Sequence, residues 1–155
     1  MMRRVLRRGV LATGLLLASA LATSCAGRMG GGTADGVKLY DRVGGYNALA
    51  AVTDDFLGRI LVDPAITPFF KGLEDRDKVR VRQLIVDQLC EATGGPCHYI
   101  GRTMKVMHEE MQITEPVWNA FAGHFVATLD QFKVPAREKQ ELLEIIGSMK
   151  KDIVK

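Results

Sequence analysis

Met104-Lys105-Val106-Met107-His108, with Ile113 and Thr114 following, is the stretch on which the fold turns. Apolar residues recur there at helical spacing, and one histidine stands at the end of the turn. The spacing predicts a short helix from Arg102 to Glu110 carrying His108, preceded by an irregular loop over residues 97 to 101.

Outward from it the pattern stays helical. Thr114 reads as a helix cap, with Glu115 and Pro116 in the first turn. Trp118, Phe121, Phe125 and Leu129 then form one apolar stripe. Val134-Pro135 opens a last helix, in which Leu142, Ile145, Ile146, Met149 and Ile153 recur. Its lysines at 150, 151 and 155 suit the negative end of the helix dipole. Upstream, Gly94-Gly95-Pro96 breaks the chain after a helix expected from about Asp77 to Ala92, with Val81, Leu84, Ile85 and Leu89 on its inner face. A charged link from Glu74 to Lys78 leads into it, and Ile66 to Phe70 is a short apolar corner. Asp63-Pro64 ends a helix over Tyr46 to Leu61, because proline disfavours helix in the residue before it. Lys38 to Val43 makes a short opening helix stopped by Gly44-Gly45. No stretch alternates with period two for long, so the class is all-α.

The first 24 residues read as an export signal, with arginines at 3, 4, 7 and 8 followed by an apolar run from Gly9 to Ala22. That run is short of the about 20 apolar residues a membrane span needs. Leu21-Ala22-Thr23-Ser24-Cys25 resembles a lipobox, which would put a lipid on Cys25; Ala20-Leu21-Ala22 also fits ordinary signal cleavage. Arg7-Arg8 bears a faint likeness to a twin-arginine signal. Residues 25 to 36 are a glycine-rich tether, and the folded domain is expected over residues 37 to 155. Removing the four leader arginines takes the formal charge from +3 to −1. A near-neutral domain has no basic footprint for nucleic acid. Cys90 and Cys97 fit either a disulfide or two buried thiols. A zinc site from Cys90, Cys97 and His98 lacks a fourth ligand within reach.

Five landmarks in order resemble the group I truncated haemoglobins, the two-over-two bacterial globins. They are Leu39-Tyr40-Asp41-Arg42-Val43-Gly44-Gly45, Asp63-Pro64 through Phe69-Phe70, Gly94-Gly95-Pro96, Met104 to His108, and Val134-Pro135 to Val154. The resemblance covers residues 38 to 154 and implies haem b, with His108 as the proximal iron ligand. The second ring nitrogen of His108 should donate to a backbone carbonyl or carboxylate. The resemblance also implies Phe70 wedged against the haem and Met104 on its proximal face. It puts Tyr99 and Arg102 near the propionates, and Trp118 and Phe121 facing the cavity. For Phe70 and Trp118, plain core packing is the competing reading. His124 reads as solvent-facing and His98 as a loop residue.

The distal side departs from the family. Leu57 stands where a tyrosine is common, and Val81, Leu84 and Ile85 take the pocket-facing positions. A register shift of two would put Gln83 in place of Ile85. The implied function is reversible binding of oxygen, nitric oxide or carbon monoxide in an apolar pocket. The alternatives are a nitric-oxide dioxygenase that needs an external electron donor, and a haem-free helical lipoprotein. An apolar distal side also weakens a peroxidase reading, since no acid–base group stands there.

Overall fold

A computed structural model describes residues 36–155. It is all-helical among those residues: α1 (Leu39–Arg42), α2 (Gly45–Ile60), a 3-10 turn (Thr67–Phe70), α3 (Asp75–Ala92), α4 (Met104–His108), α5 (Glu115–Gln131) and α6 (Ala136–Ile153). The expected export signal, the expected tether up to residue 35 and Cys25 lie outside the described residues. None of the described helices is long and apolar enough to cross a membrane.

Helix α2 packs against α3 and α5, while α6 packs against α5 and α4. The centre is apolar. Phe56, Ile60, Phe125, Leu129 and Leu142 are buried together, and Leu49, Leu89 and Cys90 form a second cluster. Phe56 meets Phe121 and Phe125 edge-on at 4.9 and 5.4 Å, and Trp118 stacks on Phe121 at 5.5 Å. Edge-to-face and offset-stacked rings complement their quadrupoles, so this aromatic run is held by more than area alone.

Two helix boundaries differ from the sequence expectation for local reasons. Helix α3 begins at Asp75, two residues early, because Glu74 and Asp77 cap each other reciprocally. The Glu74 N–H donates to the Asp77 carboxylate at 3.1 Å, which satisfies a donor the first turn would otherwise leave free. Helix α4 is trimmed to five residues. The Thr103 hydroxyl accepts the Val106 N–H at its start. Thr114 does sit at the cap of α5, but its hydroxyl makes no capping bond; its carbonyl accepts the Trp118 N–H at 2.9 Å.

Cys90 and Cys97 are joined as a disulfide, so neither sulfur is available to a zinc ion. Gly95 lies against that bond. A Cβ there would come within 2.5 Å of the Tyr40 ring and 2.6 Å of Cys90 Sγ. The second glycine of the break is thus required by close packing, which no side chain would allow.

Polar ties fix the layers to one another. Arg42 on α1 bonds Glu138 at 2.6 Å and also Glu141, both on α6. Asp55 on α2 receives Arg59 Nε at 2.6 Å and the Thr128 hydroxyl of α5 at 2.8 Å. His124 corrects the sequence reading. It is half-buried on α5, with Nε2 2.6 Å from Asp63 Oδ2. Asp63 also accepts the Ala65 N–H at 2.8 Å, so this one carboxylate ties α5 to the corner.

Four carboxylates are held below their ordinary range by these partners: Asp54 by Arg82, Asp55 by Arg59 and Thr128, Asp63 by His124 and the Ala65 N–H, and Glu141 by Arg42. A carboxyl with a lowered folded pKa stabilises fully above its ordinary value and loses that contribution as pH falls through the lowered one. The ordinary values are 3.8 for the aspartates and 4.5 for the glutamate. The urea midpoint is therefore expected to fall between about pH 5 and about pH 3. Asp63→Asn should blunt that fall. Denaturation curves across this window check it, and a midpoint flat to pH 3 would contradict it.

Candidate functional site

A cavity of about 300 Å³ lies between α2, α3, α4, α5 and α6. Its wall is almost wholly apolar. Phe56 and Ile60 come from α2, and Val81, Leu84, Ile85 and Leu89 from α3. Trp118, Phe121 and Phe125 come from α5, and Ile146 and Met149 from α6. Four methionines border it, at 104, 107, 111 and 149. Thioether side chains are flexible and polarisable, so they pack well against a flat aromatic surface.

His108 is one of the few polar side chains on this wall, with Gln88 and Tyr99. Its Nδ1 is 2.8 Å from the Met104 carbonyl, one helical turn back. A carbonyl can only accept, so Nδ1 carries the proton, and in the neutral ring Nε2 keeps its lone pair. Among the described residues no hydrogen-bond partner takes Nε2. The local sequence produces this geometry directly. Positions i and i+4 share a helix face, and a carbonyl has two lone pairs, so that of Met104 can accept a side chain beside its helical partner.

The cavity suits a flat, largely apolar cofactor whose metal takes one imidazole nitrogen. No described cluster of three His, Cys, Asp or Glu side chains could hold a bare metal ion. The donor set is one neutral imidazole in a greasy slot, which is the chemistry of a haem pocket.

Of the residues singled out from sequence, His108, Phe70, Met104, Tyr99, Val81, Ile85, Trp118 and Phe121 all border the cavity, as does Leu84. Two do not. Leu57 is buried in the core cluster of α2, α5 and α6. It lies a residue off the face shared by Phe56 and Ile60, and about 100° round the helix. Arg102 takes part through its backbone, because the Tyr99 hydroxyl donates to its carbonyl at 2.7 Å. Tyr99 folds so closely over Gly101 that a Cβ there would meet its hydroxyl at 2.2 Å. Burial pushes the Tyr99 hydroxyl pKa up, which keeps it a donor.

The register question on α3 has a definite outcome. Ile85 borders the cavity and Gln83 does not. The Gln83 amide is instead bonded to the Tyr46 hydroxyl at 2.9 Å and to Asp87 at 2.8 Å. Sequence reasoning missed Gln88, which borders the cavity one turn beyond Leu84 and bonds Met149 Sδ at 3.6 Å. The signal was present in the spacing, since 81, 84, 85 and 88 form one helical stripe.

Comparison with known proteins agrees with this geometry. The family model for bacterial-like globins matches residues 38–155. A group 1 truncated haemoglobin from Mycolicibacterium paratuberculosis is 32% identical over 120 residues, covering 77% of this chain and 86% of that one. The Fe(III) form of the truncated haemoglobin from Tetrahymena pyriformis superposes with a TM-score of 0.69 at 28% identity, covering 76% of this chain and 98% of that one. The 2/2 haemoglobin of a Synechococcus species, solved in the cyanomet state with covalently attached haem, gives a TM-score of 0.69 at 26% identity, covering 76% and 98%. These matches run the length of the folded domain, and the chain belongs to the bacterial-like globin family, in its group 1 truncated branch.

Proposed function

We propose that this globin holds haem b through His108 Nε2 and binds diatomic gases, namely oxygen, nitric oxide and carbon monoxide, reversibly in an apolar pocket. The observation that carries the reading is the His108–Met104 hydrogen bond, which leaves an unshared imidazole lone pair in an apolar cavity. When bound, the haem iron supplies an open coordination position for the gas.

The chain's own residues do the rest. The Met104 backbone carbonyl holds the imidazole in one tautomer and one orientation, which keeps the ligand nitrogen basic. Phe70, Met104, Trp118 and Phe121 supply apolar contact area for a flat ring and exclude water from it. Replacing His108 by glycine is expected to cost about tenfold or more in haem affinity, given that even outer partners of a ligand cost 10–100-fold. Added imidazole should restore the haem absorption band. A band of equal strength in the variant without imidazole would refute the assignment.

On the α3 side, Val81, Leu84 and Ile85 offer a gas ligand no hydrogen-bond donor. A hydrogen bond to a polar diatomic is worth roughly 1–2 kcal/mol, or about 5- to 30-fold in residence. Oxygen, the more polar ligand, loses most from its absence, so discrimination against carbon monoxide is weak. Ile85→Gln would restore a donor at that position and should slow oxygen release by about 5- to 30-fold. Stopped-flow release from wild type and variant measures this, and equal rates would count against an apolar wall as the cause.

We further propose that the protein is exported and lipid-anchored at Cys25. The lipobox-like run to Cys25 supports this reading. So does the Cys90–Cys97 disulfide, a bond that oxidising compartments favour. Labelled palmitate should enter the membrane fraction with the wild-type chain and not with Cys25→Ser. Equal labelling of both would overturn the anchor.

A further inference from the structure

The disulfide joins two walls of the cavity. Cys90 is in the last turn of α3, and the residue before it, Leu89, borders the cavity. Cys97 stands near the start of the strap that leads to α4, and Tyr99, two residues later, borders the same cavity. Residues 95–103 contain no regular secondary structure, so no helical ladder holds this strap. Besides the disulfide, its attachments are few. The Gly95 N–H donates to the Cys90 carbonyl at 2.7 Å, the Tyr99 N–H to Glu91 at 3.3 Å, and His98 Nδ1 lies 3.6 Å from Glu91; the Tyr99 hydroxyl bonds within the strap to the Arg102 carbonyl, and Thr103 caps α4.

The two cysteines differ in burial. Cys90 is fully buried among Leu49 and Leu89. Cys97 is half-buried. Exchange starts with a thiolate approaching one sulfur, and access decides which one.

We propose that Cys97 Sγ is a thiol-exchange site for a protein dithiol, and that opening the disulfide releases the strap and with it the covalent restraint upstream of α4 and His108. The first thiolate of the dithiol attacks Cys97 Sγ, and the Cys90–Cys97 bond breaks. Cys90 leaves as a thiolate and takes up a proton, which burial in its apolar cluster favours. The second thiolate of the dithiol then attacks its own mixed-disulfide sulfur and expels Cys97, which is also protonated. The partner's two thiols end as one disulfide, and this chain's disulfide ends as two thiols, a two-electron exchange. Released Cys90 remains packed as a small hydrophobe, so α3 keeps its core while the strap loses its covalent tie. The consequence for haem retention rests on the haem reading above; the exchange itself does not.

The test uses the full chain in a Cys25→Ser background, where Cys90 and Cys97 are the only cysteines. A CxxC thioredoxin with its second cysteine replaced serves as the trap, and peptide mapping reads the mixed disulfide. Cys97 is the expected partner; a trap on Cys90 overturns the site. Amide hydrogen exchange over the first minutes is then compared for the oxidised chain, the thioredoxin-reduced chain and Cys97→Ser. Residues 97–108 should exchange about tenfold faster or more in the last two, with α2 and α6 still protected. Unchanged exchange in the strap, or an equal rise in α6, overturns the release. With haem loaded, transfer to apomyoglobin should quicken by about fivefold or more on reduction. A chain that takes up no haem ends the gas-binding reading and leaves the exchange results to decide this one.

Discussion

The hydrogen bond between His108 Nδ1 and the Met104 carbonyl is the constraint on which the functional reading depends. An imidazole in an apolar wall has two nitrogens to satisfy. The helix that carries it satisfies one, four residues back, and by doing so settles which nitrogen keeps the lone pair. Without that bond either tautomer could face the cavity, and the ring could turn about its own axis. The sequence enforces the bond by placing His108 four residues after Met104 in a five-residue helix, so that its ring lies over the Met104 carbonyl on the same face.

The rest of the fold keeps that turn in place. Helix α4 is too short to stand alone, because nucleating a helix costs more than one turn returns. It is held by packing on α6, by the Thr103 cap and by Met104 and Met111 against the Ile113, Trp118 and Ile153 cluster. The C-terminus contributes as well, since the Lys155 N–H donates to the Ile113 carbonyl at 2.9 Å. The end of the chain is thereby fastened beside the link that follows His108.

Much of this was legible in the sequence, and the limits have physical causes. Periodicity located the long helices α2, α3, α5 and α6, because each buries apolar residues whose spacing is set by 3.6 residues per turn. The cavity-facing side of α3 followed from the same stripe through Val81, Leu84 and Ile85. Leu57 shows a limit of the resemblance rather than of periodicity. The period puts Phe56 and Ile60, four residues apart, on one face, and Phe56 borders the cavity beside Phe121 and Phe125 while Leu57 packs into the core. His124 was misread for a different reason. Its partner, Asp63, is 61 residues away along the chain, and periodicity carries no information about a pairing at that range. The early start of α3 came from the reciprocal cap of Glu74 and Asp77, which a string of mixed charges conceals.

The polar groups around the cavity share one arrangement. Besides His108, the amides of Gln83 and Gln88 and the Tyr99 hydroxyl each have a partner, and that of Gln88 itself borders the cavity. Gln83 is bonded to Tyr46 and Asp87, Gln88 to Met149, and Tyr99 to the Arg102 carbonyl. A buried amide or hydroxyl without a partner costs about 1–3 kcal/mol, so a donor already satisfied has little reason to swing into an apolar space. A ligand inside must then draw its hold from contact area and from the imidazole side, because breaking any of these bonds to make a new one yields little net gain. Restoring a donor to the wall therefore calls for a side chain not already committed to a partner, and the α3 stripe offers the position of Ile85, which borders the cavity.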